Sequence, residues 1–357
     1  MGGRRADLRG TIRSVTHLSG IGWSPDRLEH LPPGTSPGRV ARVDRGRLTV
    51  LTDDGERRVH PAAGLYDPDG LAAPAVGDWV ALRGELAVAL LPRTSAFTRT
   101  VAGRTSAAQV VAANLDLVLV VDALAGPTRA RRVERYLAVA WGSGATPVVV
   151  LTKADLCDDV DAAVAEVAED ALGVEVLAVS ARTCEGLDAV RALLGPGRTA
   201  AMVGPSGVGK SSLANALAGR EAAPTQDVRE ADGRGRHTTT SRELHVLPGG
   251  GLLVDTPGMR ELGLYDDEGV DTAYADVAEL AGGCRFRDCA HRTEPGCAVA
   301  AAIDDGRLDP ARLRGWRKLQ AEAHRQLLRS DARARAAEHQ RTKALFRAYR
   351  AQPNRVR

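Results

Sequence analysis

The sequence predicts a multidomain chain: an N-terminal β-barrel, a central α/β domain built on a mostly parallel sheet, and a C-terminal helical region that holds a metal. Three observations predict it. Short strand-like runs separated by tight turns extend from Gly38 to Leu91. From Val110 onward, apolar runs alternate with helical patterns. After Ala275 the helices are irregular and enclose the spacing Cys284-x4-Cys289-x-His291-x5-Cys297. A length of 357 residues with 44% hydrophobic content suits two or three globular domains. With 3% aromatic residues, aliphatic side chains must fill the cores.

Residues 1–35 read as a basic lead-in punctuated by Pro and Gly. The barrel is expected over 36–97. Arg39–Val43, Leu48–Leu51, Arg57–His60, Val76–Leu82 and Leu86–Leu91 are its five strands, with Arg45-Gly46 and Asp53-Asp54-Gly55 as turns. The α/β domain is expected over 98–275. Its strands are Leu115–Val121, Val148–Leu151, Val174–Val179, Ala200–Val203, Glu243–Leu247 and Gly251–Val254. Helices fall at Thr128–Val139 (with Arg129, Arg131, Arg132 and Arg135 outside), Asp158–Leu172, Gly186–Leu194 and Lys210–Ala218. Residues 276–357 form the helical region, ending in a long Arg-rich helix interrupted by little except Gly315.

The strongest chemical motif is Gly204-Pro205-Ser206-Gly207-Val208-Gly209-Lys210-Ser211, followed by Ser212, between an apolar strand and a helix. This is a complete P-loop. Its glycines let backbone N–H groups face phosphate oxygens, and the helix N-terminus adds positive potential. Lys210 would reach the β/γ-phosphates and Ser211 would ligate Mg²⁺. Asp255-Thr256-Pro257-Gly258 follows a buried strand about fifty residues later. There Asp255 suits Mg²⁺ through water, and Gly258 suits a close approach of backbone N–H to the γ-phosphate. Between them, Gly233-Arg234-Gly235-Arg236-His237-Thr238-Thr239-Thr240 reads as a switch loop. Thr239 is the expected Mg²⁺ ligand, with Thr238 and Thr240 as alternatives. His237 is the candidate for positioning the attacking water, since Met259 stands where many such enzymes carry Gln.

A guanine-reading motif, Thr152-Lys153-Ala154-Asp155, precedes the P-loop instead of following it. The carboxylate of Asp155 can accept from N1–H and N2–H of guanine, which adenine cannot offer. Lys153 would lay its stem along the base, and Ser180-Ala181 would lend backbone N–H to the guanine oxygen. Both signals together imply a circularly permuted nucleotide domain. Lysine usage agrees: of 48 Lys+Arg only four are Lys, and two of them, Lys153 and Lys210, occupy these motifs. Lys318 and Lys343 carry no such context.

Cys284, Cys289, His291 and Cys297 supply three thiolates and an imidazole within fourteen residues, the donor set of one closed, structural tetrahedral zinc site. Cys157 and Cys184 read as small apolar residues. Residues 311–357 carry +11 and the remaining 310 carry −8, within a whole-chain charge of +3. A basic segment this concentrated suggests a polyanionic partner. No run approaches the ~20 apolar residues of a membrane span, and Met1–Arg13 lacks a signal-peptide core. A cytoplasmic monomer is the expectation.

These motifs together resemble the bacterial ribosome small-subunit-dependent GTPase A family. The resemblance is carried by Gly22-Trp23, Gly77-Asp78-Trp79-Val80, Leu91-Pro92-Arg93, Gly235–Thr240, Asp255–Gly258 and Cys284–Cys289, and covers roughly residues 20–330. It implies an OB-fold barrel, a permuted GTPase domain and a zinc-binding helical domain. It further implies hydrolysis of GTP to GDP and phosphate, stimulated by the small ribosomal subunit, during late maturation of that subunit and in contact with its rRNA. That family's guanine motif usually begins with Asn. Thr152 offers a shorter hydroxyl that weakens nucleotide binding while Asp155 keeps the base reading. Competing expectations are an rRNA-binding factor that senses GTP/GDP with little turnover, a large-subunit permuted GTPase and an ATPase. The barrel and the Cys/His cluster oppose the large-subunit reading, and Asp155 opposes the ATPase.

Overall fold

The computed structural model describes residues 17–65, 73–100, 108–125, 130–219, 242–255, 268–292, 294–330, 334–340 and 343. Five short strands come first: β1 (Ser36–Asp44), β2 (Arg47–Thr52), β3 (Gly55–Pro61), β4 (Trp79–Arg83) and β5 (Leu86–Leu90). They hydrogen-bond in the order β1-β2-β3-β5-β4, and β4 returns to β1 antiparallel, with Arg39 opposite Trp79, to close the barrel. Val40, Leu48, Val50, Val59, Val80, Leu82 and Ala87 fill it. One strand junction is fixed by charge. Asp78 is fully buried and accepts from Arg93 Nε (2.8 Å), Arg93 Nη2 (2.7 Å) and the Ala75 N–H (2.7 Å). Burial pushes the Asp78 carboxyl above its ordinary pKa, and Arg93 opposes the shift.

The described part of the lead-in is built into the structure. Leu18 and Ile21 are buried, and Trp23 packs edge-on against Trp79 with ring centroids 4.8 Å apart. Sequence periodicity gives no sign of the next element, a hairpin of β6 (Ala96–Thr100) and β7 (Ala108–Ala113). Thr98, Arg99 and Thr100 read as polar, yet Phe97 beside them is 2% exposed.

The central domain runs β8 (Leu117–Ala123), α1 (Ala130–Trp141), β9 (Thr146–Thr152), α2 (Val160–Asp170), β10 (Glu175–Ala178), α3 (Leu187–Leu193), β11 (Thr199–Val203), α4 (Lys210–Ala218), β12 (Glu243–Val246) and β13 (Leu252–Asp255). The strand order is β10-β9-β8-β11-β13-β12, parallel except for β12. Strands in such a sheet face helices on both sides and are apolar throughout. Val118, Val120, Val149 and Leu151 enter one core, and their neighbours Leu117, Leu119, Val148 and Val150 enter the other. The period of two decides which. The order runs from β8 through β9 to β10 in one direction and from β8 to β11 and β13 in the other. The ends of β8 and β11 therefore border a crevice at the reversal, the ordinary ligand position in an open α/β sheet. At the far edge β12 pairs antiparallel with β1, Glu243 opposite Arg42, so barrel and nucleotide sheet are one hydrogen-bonded surface.

The C-terminal region contains α5 (Glu268–Ala273), α6 (Ala275–Gly282), α7 (Ala298–Asp304) and α8 (Pro310–Ser330). The structure corrects two expectations in this region. The α1 arginines do not all lie outside: Arg132 grips the buried Asp122 with both oxygens in reach, and Arg135 pairs with Glu322 of α8. Gly315 does not interrupt α8. It makes room, because a Cβ there would lie 2.6 Å from the Tyr274 hydroxyl oxygen. Tyr274 donates to Glu134 Oε2 (2.7 Å), and Arg312 donates to Glu134 Oε1 (2.9 Å) and to both oxygens of Asp276 (2.8 and 3.0 Å). Arg312 belongs to this buried network rather than to a solvated basic face.

Candidate nucleotide and metal sites

The P-loop lies between β11 and α4, beside the end of β8. Gly204 has φ +144, and a Cβ there would stand 2.1 Å from the Val121 carbonyl oxygen, so only glycine lets the loop leave the sheet at this point. Gly207 and Gly209 take φ +79 and +95. Val208 is buried among the residues of the core under α4 and pins the loop, while Ser206 and Gly207 face outward. Pro205 is half-buried. Gly209 caps α4 without a side chain, so the N–H groups of the first turn open onto the loop. Lys210 Nζ donates to the carbonyls of Gly204 (2.8 Å) and Pro205 (2.6 Å), which holds the ammonium over the loop. Ser211 is exposed at the helix start and Ser212 is half-buried beneath it.

The guanine motif meets this loop from β9. The Thr152 hydroxyl donates to the Val208 carbonyl and lies 3.1 Å from that of Asp122. It therefore spans from the base-side strand to the phosphate loop, and at 2% exposure it does so in the dry interior. Lys153, at φ +60, donates from Nζ to the Gly207 carbonyl (2.9 Å). The Ala154 N–H bonds to Val179 O (3.1 Å), which ties the motif to the end of β10. Asp155 accepts from Ser180 Oγ (2.6 Å) and from Arg182 Nε (2.8 Å). The Ser180 bond first, and Arg182 after it, hold the Asp155 carboxyl below its ordinary pKa, so a charged acceptor faces the site at neutral pH. Ala181 lies between these two donors, partly exposed, and the structure corrects one expectation here: the Ser180 N–H bonds Glu185 O (3.0 Å) and is not available to a base.

Asp255 ends β13 opposite Glu243. His237, Thr238, Thr239, Thr240, Thr256, Gly258 and Met259 lie outside the described residues. The structure thus brings together the P-loop, Thr152, Lys153, Asp155 and Ser180. Sequence reasoning missed Arg182, although its place directly after Ser180-Ala181 was a usable signal. It also missed Asp122, whose carbonyl reaches Thr152 and whose carboxylate holds Arg132 of α1. Cys184 is not a buried apolar residue: it is exposed, at φ +64, in the tight turn after Arg182.

The second site is formed by Cys284, Cys289, His291 and Cys297, whose ligand atoms all lie within 4.8 Å of one another. Cys284 Sγ is 3.9 Å from Cys297 Sγ and 3.4 Å from His291 Nδ1, and Cys297 Sγ is 3.6 Å from Nδ1. Sulfurs around a tetrahedral zinc at about 2.3 Å stand roughly 3.8 Å apart, so this donor set fits the ion. Burial first, then Arg317, holds His291 below its ordinary imidazole pKa, leaving a neutral nitrogen for a metal. Arg317 donates to the carbonyls of Ala290 (3.1 Å) and His291, and the Ala290 and Arg292 N–H groups bond the Glu294 carboxylate (3.0 and 2.7 Å). The loop is therefore shaped from outside the ligand set.

A family model described as RsgA GTPase matches residues 90–265. The chain is 48% identical over 331 residues to a protein of Streptomyces coelicolor named Small ribosomal subunit biogenesis GTPase RsgA, across 89% of this chain and 90% of that one. A protein of the same name from Opitutus terrae is 42% identical across 94% and 97% of the two chains. Among solved structures, YjeQ from Thermotoga maritima superposes with a TM-score of 0.61 at 26% identity, across 81% of this chain and 98% of that one. YloQ, described as a circularly permuted GTPase, shares the fold with a TM-score of 0.59 at 23% identity, across 81% and 95%. Among the described residues, no helix is long and apolar enough to cross a membrane. The permuted nucleotide motifs, the closed barrel and identity over nearly the whole chain lead to one conclusion: this protein belongs to the RsgA GTPase family and is a GTP hydrolase.

Proposed function

We propose that this GTPase binds the small ribosomal subunit and its rRNA in the cytoplasm and hydrolyses GTP to GDP and phosphate late in that subunit's maturation, with turnover raised by the subunit. The observation that carries the nucleotide half is the docking of the guanine motif on the P-loop through Thr152 and Lys153. The ribosomal half is supported by the names of the relatives and by the charge of the +11 segment 311–357 that remains once the buried Arg312 is set aside, which suits phosphate backbones.

In this reading the base is held by Asp155, with Lys153 along its face and the backbone N–H of Ala181 at its oxygen, since the Ser180 N–H is given to Glu185 O. The backbone of Gly204–Gly209 cradles the phosphates. Lys210 leaves the Gly204 and Pro205 carbonyls for the β/γ-phosphate oxygens, where its charge offsets that developing on the bridging oxygen. His237 orients the water that attacks the γ-phosphorus when the subunit is bound. Ser211 and Thr239, with Asp255 through a water, would hold Mg²⁺, which when bound would neutralise phosphate charge. Gly258 offers its N–H to the γ-phosphate. Cys284, Cys289, His291 and Cys297 hold one zinc ion whose role is structural, since all four coordination positions belong to the protein.

The deciding experiment measures GTP and ATP hydrolysis with and without purified small subunits. The reading expects strong stimulation of GTP turnover by the small subunit and none by the large one, with ATP inert. GTP binding without stimulation points instead to an rRNA-bound sensor of GTP/GDP. Full stimulated turnover by His237→Ala removes His237 from the water-orienting role.

A further inference from the structure

The Asp155 carboxylate has about four lone-pair positions; neighbouring side chains take one on each oxygen, and its own backbone N–H also bonds it. Ser180 donates to Oδ1 at 2.6 Å and Arg182 Nε donates to Oδ2 at 2.8 Å. Ser180 has no other choice. Its oxygen accepts the Thr183 N–H (3.1 Å), so its single proton points at Asp155. Ser180 is fully buried, and its own N–H closes the turn on Glu185 O (3.0 Å). Gly186 fixes the other end of the turn at φ +72, where a Cβ would meet the Ala178 carbonyl at 2.2 Å.

Arg182 is different in kind. Its side chain is 73% exposed while that of Asp155 is 11% exposed, so the arginine covers the acid from the solvent side. Exposed ion pairs contribute little to stability, and an arginine gives up rotamer freedom to make one. The effect of this pair on Asp155 is geometric. The two side-chain donors, one on each oxygen, oppose rotation of the carboxylate and leave it lone-pair capacity for further donors.

We propose that Arg182 is a specificity-determining residue that positions Asp155 for a base offering two adjacent donors. Guanine offers N1–H and N2–H as such a pair. Hypoxanthine offers N1–H alone, and adenine presents an acceptor at N1. A freely turning carboxylate still accepts one hydrogen bond, but accepts two well only in one orientation. Arg182 therefore acts on guanine more than on hypoxanthine. The role of Arg182 rests on the reading of this site as a guanine site.

The test is calorimetric titration of the full-length protein with GDP and with IDP, for the wild type, Arg182→Ala, Arg182→Lys and Asp155→Asn. Circular dichroism establishes that each variant is folded. Arg182→Ala is expected to weaken GDP about three- to tenfold and IDP by less than about twofold, so the GDP preference contracts. Arg182→Lys restores part of it, since an ammonium supplies the charge without the planar fork. An unchanged GDP/IDP ratio in Arg182→Ala, or tighter GDP binding as expected of a mere competitor, overturns the proposal. Asp155→Asn separates the two levels. If it keeps the GDP preference, the guanine reading itself fails; if it loses the preference while Arg182→Ala does not, only the role of Arg182 fails.

Discussion

Arg312→Ala should cost about 3–5 kcal/mol of stability, the range for breaking a buried ion pair by removing one partner. The figure follows from what the arginine leaves behind. Arg312 and Glu134 have side chains 7% and 5% exposed, and their ion pair joins α8 to α1. Without Arg312, Glu134 keeps the Tyr274 hydroxyl but becomes a buried charge with no counter-ion among the described residues. Asp276 loses two bonds as well, but at 29% exposure water takes their place and softens that loss. The carbonyls of Asp170 (3.2 Å) and Ala273 (3.0 Å) lose a donor, and Tyr274 loses a guanidinium 4.5 Å from its ring centre. Burial alone would lower the Arg312 pKa. The Asp276 and Glu134 carboxylates reverse this and raise it, so the charge is present at any working pH. Urea titration followed by tryptophan fluorescence gives the loss, and Trp316, which donates to Asp271 (2.9 Å), reports from the same helix. Glu134→Gln removes the stranded charge, so the double variant should recover about 1–3 kcal/mol of the single-variant loss. A loss below about 1 kcal/mol, or strict additivity in the cycle, would refute the reasoning.

Three further outcomes are expected. Elemental analysis of the purified protein should find about one zinc per chain, and a strong chelator should melt α6, α7 and the Cys284–Cys297 loop; a metal-free protein with unchanged helicity contradicts this. Thr152→Val keeps shape but removes the hydroxyl that spans Asp122 and Val208, so GDP affinity should fall by about 1 kcal/mol, near fivefold, by titration; unchanged affinity would mean the P-loop does not depend on that contact. The Asp155 pKa is depressed from 3.8, so the ionised form that guanine needs persists as pH falls. The GDP/IDP affinity ratio, in which phosphate protonation cancels, should therefore hold as pH falls into the ordinary aspartate range, and Arg182→Ala should move its loss to higher pH.

Much of the site was legible because the chemistry is written in contiguous motifs. Phosphate binding needs glycines, a lysine and a hydroxyl in one loop, and metal binding needs sulfurs at short spacing, so Gly204–Ser211 and Cys284–Cys297 could be read directly. Buried parallel strands such as Val148–Leu151 were legible because both faces are apolar. The β6–β7 hairpin was not, because Thr98–Thr100 is polar and its pairing partner lies about ten residues away. Thr152 illustrates the limit. Its type suggested a weaker version of asparagine, whereas its position gives the hydroxyl a carbonyl of the P-loop 56 residues distant.

The sequence by itself determined the order of the parts, the permuted relation of guanine motif to P-loop, and the four residues of the candidate metal site, because each is a local pattern of residue types. Tertiary structure alone decided which charges are spent inside the protein. Asp78 with Arg93, Asp122 with Arg132 and Glu134 with Arg312 are separated by 15, 10 and 178 positions. No residue type announces such a partner, since an arginine on a helix looks the same whether it meets water, RNA or a buried carboxylate. Only the packing of α8 on α1, and of the turn after β10 against Asp155, sets which of them is fixed in place.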